Sequence, residues 1–406
     1  AFSQILKLGL VAALPGLFLM GGLLGSFRVS ARVDIPIFIM LATAGMMILM
    51  SATELLTLYV ALELSAYGLF VLVGLGDRGS ASREAAAKYV IFGAAASAVS
   101  LYGISLIFGA VGSTYLSEVA AAASGGSSTL LMVGVVLTLS GLMFKLALFP
   151  FHGWAPDVYQ GGPHEAVTYV GTVSKVAAVG ILARVLSLVS DDPGALVTAL
   201  FILCVVSMTF GNLAALVQRD LKRLMAYSTV AHAGYILIGF LCFSSTGTTA
   251  AIFYGLAYLV MGFCAFLVIC VLGRDGSNPT FDSLAGLHQR SPLLGLVLLV
   301  GIFGLAGIPP TPGFAGKWFL FTAGLEKQHF WLVFIAAVNA TISLYYYLLV
   351  VKAAYLTPAG DKPSISLGPA VGTTAVVALL AAMILGVYPG PLWDAARAAA
   401  TALLGG

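Results

Sequence analysis

Four lysines and one glutamate lie inside apolar runs of this chain. Glu63 is in the middle of YVALELSAYGLFVL and is the only carboxylate at that depth, and the lysines are Lys88, Lys145, Lys175 and Lys317. An ionised side chain at the centre of a hydrocarbon layer costs about 2.5–3.5 kcal/mol. Buried lysine and glutamate side chains support each other's charge when they approach and lose that support when they separate. These residues therefore predict reversible proton transfer.

Each of these residues also has a purely structural interpretation. Lys88 is one to two turns from a predicted helix end, so its ammonium group could extend to the membrane surface. Glu63 could be a structural partner that ties one lysine to a neighbouring helix. His152 and His232 are weaker candidates for the proton path, because a single histidine in an apolar helix can simply hydrogen-bond to a neighbour.

Other kinds of chemistry fit the sequence poorly. A copper site needs clustered thiolates or thioethers, whereas Cys204, Cys242, Cys264 and Cys270 are dispersed in apolar runs without a CxxC pair. A sodium site would need several carboxylates. The sequence has no Rossmann glycine motif after a strand, no P-loop, and no zinc or haem motif. We therefore expect neither a cofactor nor a metal site on this chain.

The composition indicates the environment of these charges. The chain has 406 residues, of which 60% are hydrophobic and only 9% are charged, whereas soluble domains have about 25% charged residues. This excludes a soluble enzyme and a nucleic-acid-binding protein. The apolar runs are long enough for helices and lack the alternation of strands. The sequence thus predicts an all-α integral membrane protein whose surroundings are the lipid bilayer.

Twelve transmembrane helices are predicted from the apolar runs and their breakers. Loops are expected at 112–127, 274–291 and 357–366, and a C-terminal segment, 391–404, at the membrane interface. The predicted spans are approximately 5–26, 35–52, 54–74, 84–109, 128–149, 164–189, 195–217, 226–244, 248–272, 292–325, 330–354 and 368–388.

The basic residues of the predicted loops are unevenly divided between the two sides of the membrane. The opposite side has only Arg184, Lys327 and Arg397. We call the richer side the basic side; its residues are Arg28, Arg32, Arg78, Arg83, Arg219, Lys222, Arg223, Arg274, Arg290, Lys352 and Lys362. The positive-inside rule predicts that the basic side is cytoplasmic. Both termini are then periplasmic, in a bacterial inner membrane.

Two predicted spans are interrupted by proline and glycine. Lys145 lies in FKLALFPFHGWAPDVYQGGP and Lys317 in GLAGIPPTPGFAGKWFLF. Proline removes a backbone donor and breaks a helix, and paired broken helices in two halves of a membrane protein point to an ion site. Each break falls in the fourth helix of a five-helix unit. Because five is odd, the second unit is inverted relative to the first.

This counting gives the predicted domain organisation. An N-terminal helix occupies 1–34, the first unit 35–190, the inverted second unit 191–356, and a C-terminal helix and tail 357–406. ELSAYGLFVL in the first unit and AHAGYILIGF in the second show a faint similarity, which places His232 near the position that corresponds to Glu63.

The chain resembles the antiporter-like membrane subunits of respiratory complex I, and among them it is most similar to the N-type subunits (subunit 2). The resemblance covers essentially the whole chain. It is carried by the two broken-helix segments and by YSTVAHAGYILIGF. The lysine at Lys317 distinguishes the chain from M-type subunits, and the absence of a long amphipathic C-terminal helix distinguishes it from L-type subunits.

The resemblance assigns roles to individual residues. Glu63 matches the glutamate of the fifth family helix and Lys145 the lysine that pairs with it, while Lys175 and Lys317 match the central and terminal lysines. Two further matches are Lys88, a sixth-helix lysine, and His152, a histidine near the first break. In the family these residues form a hydrated polar axis. The family's bacterial form has fourteen helices, so two N-terminal helices are expected to be missing before the chain's first residue.

The resemblance also implies a function and partners. It predicts a proton-translocating subunit of NADH:quinone oxidoreductase, coupled to quinone reduction elsewhere in the complex and binding no NADH, flavin or iron–sulfur cluster itself. The expected neighbours are an M-type antiporter-like subunit and a small K-type subunit. Two alternatives remain at this stage: a subunit of a multi-subunit Mrp-type Na⁺/H⁺ antiporter, and a subunit that only braces the membrane arm.

Overall fold

A computed structural model describes residues 2–20, 26–124, 128–188 and 194–404. In these ranges the chain is helical, with three isolated bridges between loops and no β-strand. The helices are α1 (Phe2–Leu19), α2 (Ile35–Ser51), α3 (Leu55–Gly74), α4 (Ser80–Val111), α5 (Leu116–Ser124), α6 (Thr129–Leu146), α7 (Trp154–Gly161), α8 (His164–Gly171), α9 (Val173–Leu186), α10 (Ala195–Leu216), α11 (Leu221–Leu241), α12 (Ser245–Leu272), α13 (Leu287–Arg290), α14 (Pro292–Ala306), α15 (Pro312–Glu326), α16 (Phe330–Tyr355), α17 (Pro369–Val387) and α18 (Gly390–Leu404).

The predicted all-α membrane fold is confirmed. Within the described ranges, 10 segments are long and apolar enough to cross a membrane, and two shorter apolar helices, α2 and α14, complete the twelve predicted spans. The segment formed by α8 and α9 is entirely buried, and α11 and α12 are almost entirely buried. Charged groups on these central helices are therefore surrounded by protein instead of lipid.

Two predicted irregular segments are helical. The expectation of a loop throughout 112–127 is wrong, because α5 forms there and buries Leu116, Val119 and Ala123. These apolar residues recur at helical spacing, a pattern that the many alanines and serines of the segment obscure. The expectation of a loop throughout 274–291 is also wrong, since the short helix α13 lies within it.

The C-terminal helix α18 packs against the body of the protein. Ala396, Ala399 and Ala400 are fully buried, and the ring of Trp393 lies 4.2 Å from that of Phe319, measured between centroids. The small alanine side chains let α18 approach α12 closely.

Loops predicted for the same side of the membrane contact one another. On the basic side, the Arg78 guanidinium donates to the Gln160 carbonyl at 2.9 Å, and Asp220 is bridged to Thr280. On the opposite side, Arg184 donates to the Ala52 carbonyl at 2.8 Å. The two groups of loops inferred from charge therefore lie at opposite ends of the helix bundle.

Both predicted breaks are present. Helix α6 ends before Ala147, which has a φ of 60°, and α14 ends before Gly307, which has a φ of 85°. A third interruption, at Thr172 between α8 and α9, was not predicted; its φ is −122° and its ψ is −71°. The segment around it contains no proline, which is why the sequence suggested one continuous span.

Helices α4 and α6 approach so closely that a side chain does not fit between them at Gly103. A Cβ there would lie 2.4 Å from the Thr138 backbone nitrogen, whereas one at Gly109 on the same helix would contact nothing within 4 Å. We expect Gly103→Ala to destabilise the protein by about 1–3 kcal/mol through overpacking, and Gly109→Ala to have little effect. Thermal unfolding of the purified assembly would test this, and equal midpoints for the two variants would contradict it.

Candidate functional site

Five of the predicted residues form a polar series along the bundle. Glu63, Lys145 and Lys175 lie in the predicted first unit, and His232 and Lys317 lie in the predicted second unit. All except Glu63, which is half-buried, are buried. We refer to these five residues as the axis.

The ammonium groups of two axis lysines bind the carbonyl ends of broken helices. The Lys175 Nζ donates to the Lys145 carbonyl at 2.7 Å, in the last turn of α6. The Lys317 Nζ donates to the carbonyls of Leu305 at 3.2 Å and Ala306 at 2.8 Å, at the end of α14. A helix C-terminus carries partial negative charge and unpaired carbonyls, so each break provides a site for a cation.

Each of these two ammonium groups also lies against an aromatic ring. The Lys175 Nζ is 5.2 Å from the centroid of Trp154, and the Lys317 Nζ is 5.0 Å from that of Tyr235. A cation near a ring face gains about 0.5–2 kcal/mol. Lys175 and Lys317 are thus held by the same two kinds of contact, a helix C-terminus and an aromatic ring. Lys175 binds the end of α6 from another helix, whereas Lys317 binds the end of α14 from the far side of the same break.

Glu63 and Lys145 share a cavity but do not form the ion pair that the resemblance implied. The Lys145 Nζ donates to Ser65 Oγ at 2.6 Å, and Ser97 Oγ donates to the Glu63 carboxylate. Over the described part of the chain, no ion pair within 4.0 Å joins the two. The serine hydroxyls solvate each group separately. The cavity beside them has about 10 Å³, the volume that one water requires.

A second small cavity separates Lys175 from His232. It also has about 10 Å³, and Thr229 and Tyr258 complete its polar lining. One water there would connect the ammonium group to the second unit. The cavity beside Glu63 and Lys145 and the cavity between Lys175 and His232 can therefore each hold a single water.

His232 is held by hydroxyl groups on both of its ring nitrogens. Nδ1 lies 2.7 Å from the Tyr254 hydroxyl and Nε2 lies 3.0 Å from the Tyr347 hydroxyl. The Tyr347 hydroxyl is also 2.5 Å from Ser228 Oγ. A neutral imidazole donates through one nitrogen and accepts through the other. His232 can therefore take a proton on one side and release one on the other, while the tyrosines reorient.

Lys88 lies apart from the axis, in an open cleft on the basic side. Its Nζ is 2.7 Å from both Glu84 and Asp157, and Asp157 is also 2.7 Å from Arg223. The cleft has a volume of about 330 Å³. Because α4 begins at Ser80, Lys88 is only two turns from the helix end. This position agrees with the structural interpretation, in which the ammonium group of Lys88 extends to the membrane surface. A role of Lys88 in proton transfer stays a prediction.

His152 also lies apart from the axis. Its ring is stacked 5.5 Å from that of Phe149 and contacts that of Phe210 edge to face at 4.7 Å, and its Nδ1 has no hydrogen-bond partner. Where the structure describes the chain, His152 contacts none of the lysines. The turn that follows the break directs it toward α10, and its role in proton transfer also stays a prediction.

The sequence interpretation missed a second group of buried ionisable residues. Lys222, which was predicted to lie in a basic loop, is in the first turn of α11 and is completely buried. His164 and Glu165, at the start of α8, are buried as well. The position of His164 and Glu165 directly after Pro163, inside the predicted span 164–189, was the available signal. Glu63 is therefore not the only carboxylate inside the bundle.

Among the residues that the structure describes, no group of three or more His, Cys, Asp or Glu side chains is arranged to hold a metal ion; the absence of a metal site stays a prediction. The buried groups are instead arranged as single ionisable side chains separated by hydroxyls and small cavities, an arrangement that can conduct protons.

Comparisons with known proteins identify the family to which this chain is related. The family described as NADH:quinone oxidoreductase/Mrp antiporter, transmembrane, matches residues 52–343. NADH-quinone oxidoreductase subunit N 2 of Syntrophobacter fumaroxidans is 46% identical over 405 residues, which are 99% of this chain and 86% of that protein. Its counterpart in Solidesulfovibrio magneticus is 46% identical over 372 residues, covering 90% and 78% of the two chains.

Solved structures show the same fold. A chain of respiratory complex I from Thermus thermophilus with bound aureothin is 35% identical, with a TM-score of 0.84, and the match covers 97% of this chain and 85% of that one. A chain of the Mrp complex from Dietzia sp. is 22% identical, with a TM-score of 0.85 over 99% of this chain and 82% of that one. The second likeness concerns the fold alone.

Proposed function

Because the chain belongs to the family of NADH:quinone oxidoreductase and Mrp antiporter membrane subunits, we propose that it translocates protons as a membrane-arm subunit of an NADH:quinone oxidoreductase. The observation that carries this proposal is the buried axis: Lys175 and Lys317 bind the carbonyl ends of the two broken helices, a water-sized cavity lies between Lys175 and His232, and the Tyr235 ring lies against both His232 and Lys317. Quinone reduction takes place elsewhere in the complex, and this chain contributes the proton path.

The separation of Glu63 from Lys145 suggests how the path is driven. In this arrangement each group binds a serine hydroxyl instead of the other. Closing the cavity between them would bring the charges together, and opening it would remove the glutamate's support for the lysine's charge. A proton released in this way would pass to Lys175 and then through His232 toward Lys317.

The energies involved are of the required size. Moving one charge across 100 mV takes about 2.3 kcal/mol. Two unit charges 4 Å apart interact by about 4 kcal/mol at an effective dielectric constant of 20. Making or breaking one buried pair can therefore balance the transfer of one proton.

The protein is an integral membrane protein, and its charge distribution suggests its orientation. The basic-side loops cluster at one end of the bundle, where Arg78 and Arg223 are held by neighbouring loops and helices. By the positive-inside rule this end faces the cytoplasm. In our proposal the protein lies in a bacterial inner membrane with both termini periplasmic.

The chain is a subunit of a multi-subunit membrane complex, as the related chains of complex I are. We propose an M-type antiporter-like subunit and a small K-type subunit as its neighbours. Support comes from the face formed by α3 and α4, where Glu63 is only half-buried beside the exposed side chains of Val60 and Tyr67. A neighbouring subunit on this face would seal the end of the axis from lipid.

A Mrp-type cation/proton antiporter subunit is the alternative, since that class shares the family and the fold. The identities favour the oxidoreductase, at 46% against 22%. Sodium distinguishes the two functions: an antiporter subunit would couple proton movement to Na⁺, whereas the proposed function requires NADH and quinone.

Lys145→Ala and Lys317→Ala in the assembled complex test the proposal. We expect each variant to lower both NADH:quinone turnover and proton uptake into sealed vesicles by about three- to tenfold, because each removes a proton-carrying group. Subunit content on native gels should be unchanged. Full turnover and full pumping in both variants would leave bracing of the membrane arm as the better account.

A further inference from the structure

A cluster of ionisable side chains is buried at the basic-side ends of α8 and α11, outside the axis. It consists of His164, Glu165 and Lys222, which are 1%, 3% and 0% exposed. The Lys222 Nζ donates to the Gly162 carbonyl at 2.7 Å, and Ser26 Oγ donates to one carboxylate oxygen of Glu165. Burial of an ionised side chain costs free energy unless the group is paired with an opposite charge and hydrogen-bonded.

Hydrogen-bonding capacity in this cluster is left unused. The second carboxylate oxygen of Glu165 has no hydrogen-bond partner, and the ring nitrogens of His164 lie beside the backbone of Gly273 and Ser277 without a bond of good geometry. In the part of the chain that the structure describes, Glu165 and Lys222 do not form an ion pair within 4.0 Å. A cluster built only to stabilise the fold would satisfy these atoms.

Glu165 lies on the same helical face as the central lysine of the axis. Positions 165, 168, 172 and 175 are spaced by three, four and three residues, so they share one face of the α8–α9 segment. All four carry polar side chains: Glu165, Thr168, Thr172 and Lys175. Of these four residues, only Glu165 and Lys175, at the two ends, are ionisable.

The two threonines carry hydroxyls along this face. Thr168 Oγ1 donates to the His164 carbonyl at 2.8 Å and lies 3.3 Å from Cys270 Sγ. Thr172 Oγ1 donates to the Thr168 carbonyl at 2.6 Å. Thr172 is also the residue at which the helix is interrupted. Such interruptions occur at membrane depth where the backbone is buried in protein or lines a water-filled cavity, and Thr172 is completely buried.

We propose that Glu165 is a proton-loading group that supplies Lys175 from the basic side. The inference rests on the proposed function and gives it an uptake route from the basic side. The protonated carboxyl of Glu165 gives its proton to the neutral amine of Lys175 along the threonine face, which leaves a carboxylate and an ammonium group. Water at the basic side, reaching the cluster through the His164 imidazole, reprotonates the carboxylate.

The charges around the cluster suit this cycle. Lys222 on α11 faces the carboxylate and supports its charge between the two proton transfers, with Arg32 and Arg78 at longer range. Asp220, the N-cap residue of α11, balances part of that positive charge. On α12, Cys270 completes the surroundings of Glu165.

Two substitutions in the assembled complex test the route. Glu165→Gln keeps the shape but cannot release a proton, and Thr172→Val removes only a hydroxyl. We expect each to lower the initial rate of NADH-driven proton uptake into vesicles by about tenfold, and Glu165→Asp to restore part of it. The matched controls are Glu118→Gln, an exposed glutamate on the opposite side, and Thr341→Val, an exposed threonine with the same backbone hydrogen bond.

The outcomes separate this inference from the proposed function. If Glu165→Gln and Thr172→Val pump like their controls while Lys175→Met does not pump, the uptake route is wrong and the axis stands. If Lys175→Met also pumps normally, the proposed function itself fails. Should Glu165→Gln not assemble, Thr172→Val and Glu165→Asp decide the question, since both conserve the packing more closely.

Discussion

Replacing Lys175 with methionine is expected to lower proton uptake by about a hundredfold while the complex still assembles. Lys175 is the central member of the axis: its ammonium group binds the carbonyl end of α6 and borders the cavity that leads to His232. Methionine matches the length of lysine and removes the charge. Because a buried charge costs solvation energy, an apolar residue of similar volume is neutral or stabilising.

The measurement is NADH-driven acidification of sealed vesicles, with donor:quinone turnover recorded in the same preparation. Lys352→Met is the matched control, since Lys352 is an exposed lysine in the last turn of α16. Coupled turnover should fall with pumping in Lys175→Met and remain normal in the control. Pumping at the control rate in both variants would show that protons do not pass through Lys175.

Replacing His232 is expected to interrupt the path between the two units and to lower proton uptake by at least about tenfold. Its two ring nitrogens join the hydroxyls of Tyr254 and Tyr347, and among the described residues it is the only imidazole or carboxylate that lines the cavity next to Lys175. His232→Leu would also remove the partner of the Tyr254 hydroxyl, at a cost of about 1–3 kcal/mol, whereas the Tyr347 hydroxyl keeps Ser228. Some loss of stability is therefore expected for this variant.

A second substitution separates proton transfer from stability. His232→Gln can still donate and accept hydrogen bonds but cannot carry a proton, so we expect normal assembly with the same loss of pumping. His288→Gln is the control, because the Nδ1 of this histidine donates to the Ala354 carbonyl and its ring stacks on Tyr355 outside the axis. Full pumping in His232→Gln would show that the ring has only a structural role.

The charged residues of the axis were predictable from the sequence, because the free-energy cost of burying them follows from the apolar residues next to them in the chain. A lysine or glutamate in the middle of an apolar run is expensive wherever the run packs, so Glu63, Lys145, Lys175 and Lys317 stand out without any structure. The two breaks were predictable for the same reason, since proline and glycine disrupt a helix through their own geometry.

The buried cluster at the basic side was not predictable in this way. His164, Glu165 and Lys222 lie at the ends of apolar runs, where charged residues ordinarily reach water. Only the approach of other helices and loops, including Ser26 and Gly273, covers them. Lys88 shows the reverse case: it is inside a run by sequence, but the cleft and Asp157 keep it partly in contact with solvent.

The sequence by itself determined the fold class, the twelve spans, the two breaks and the side of the membrane to which each loop belongs, because hydropathy, proline chemistry and charge act over a few neighbouring residues. Only the tertiary structure decided which ionisable groups are joined. Whether Lys145 binds Glu63 or Ser65, and whether Lys175 caps α6, depends on distances of a few ångströms between helices that are far apart in the chain. Proton transfer depends on those same distances, so the path is a property of the packed bundle.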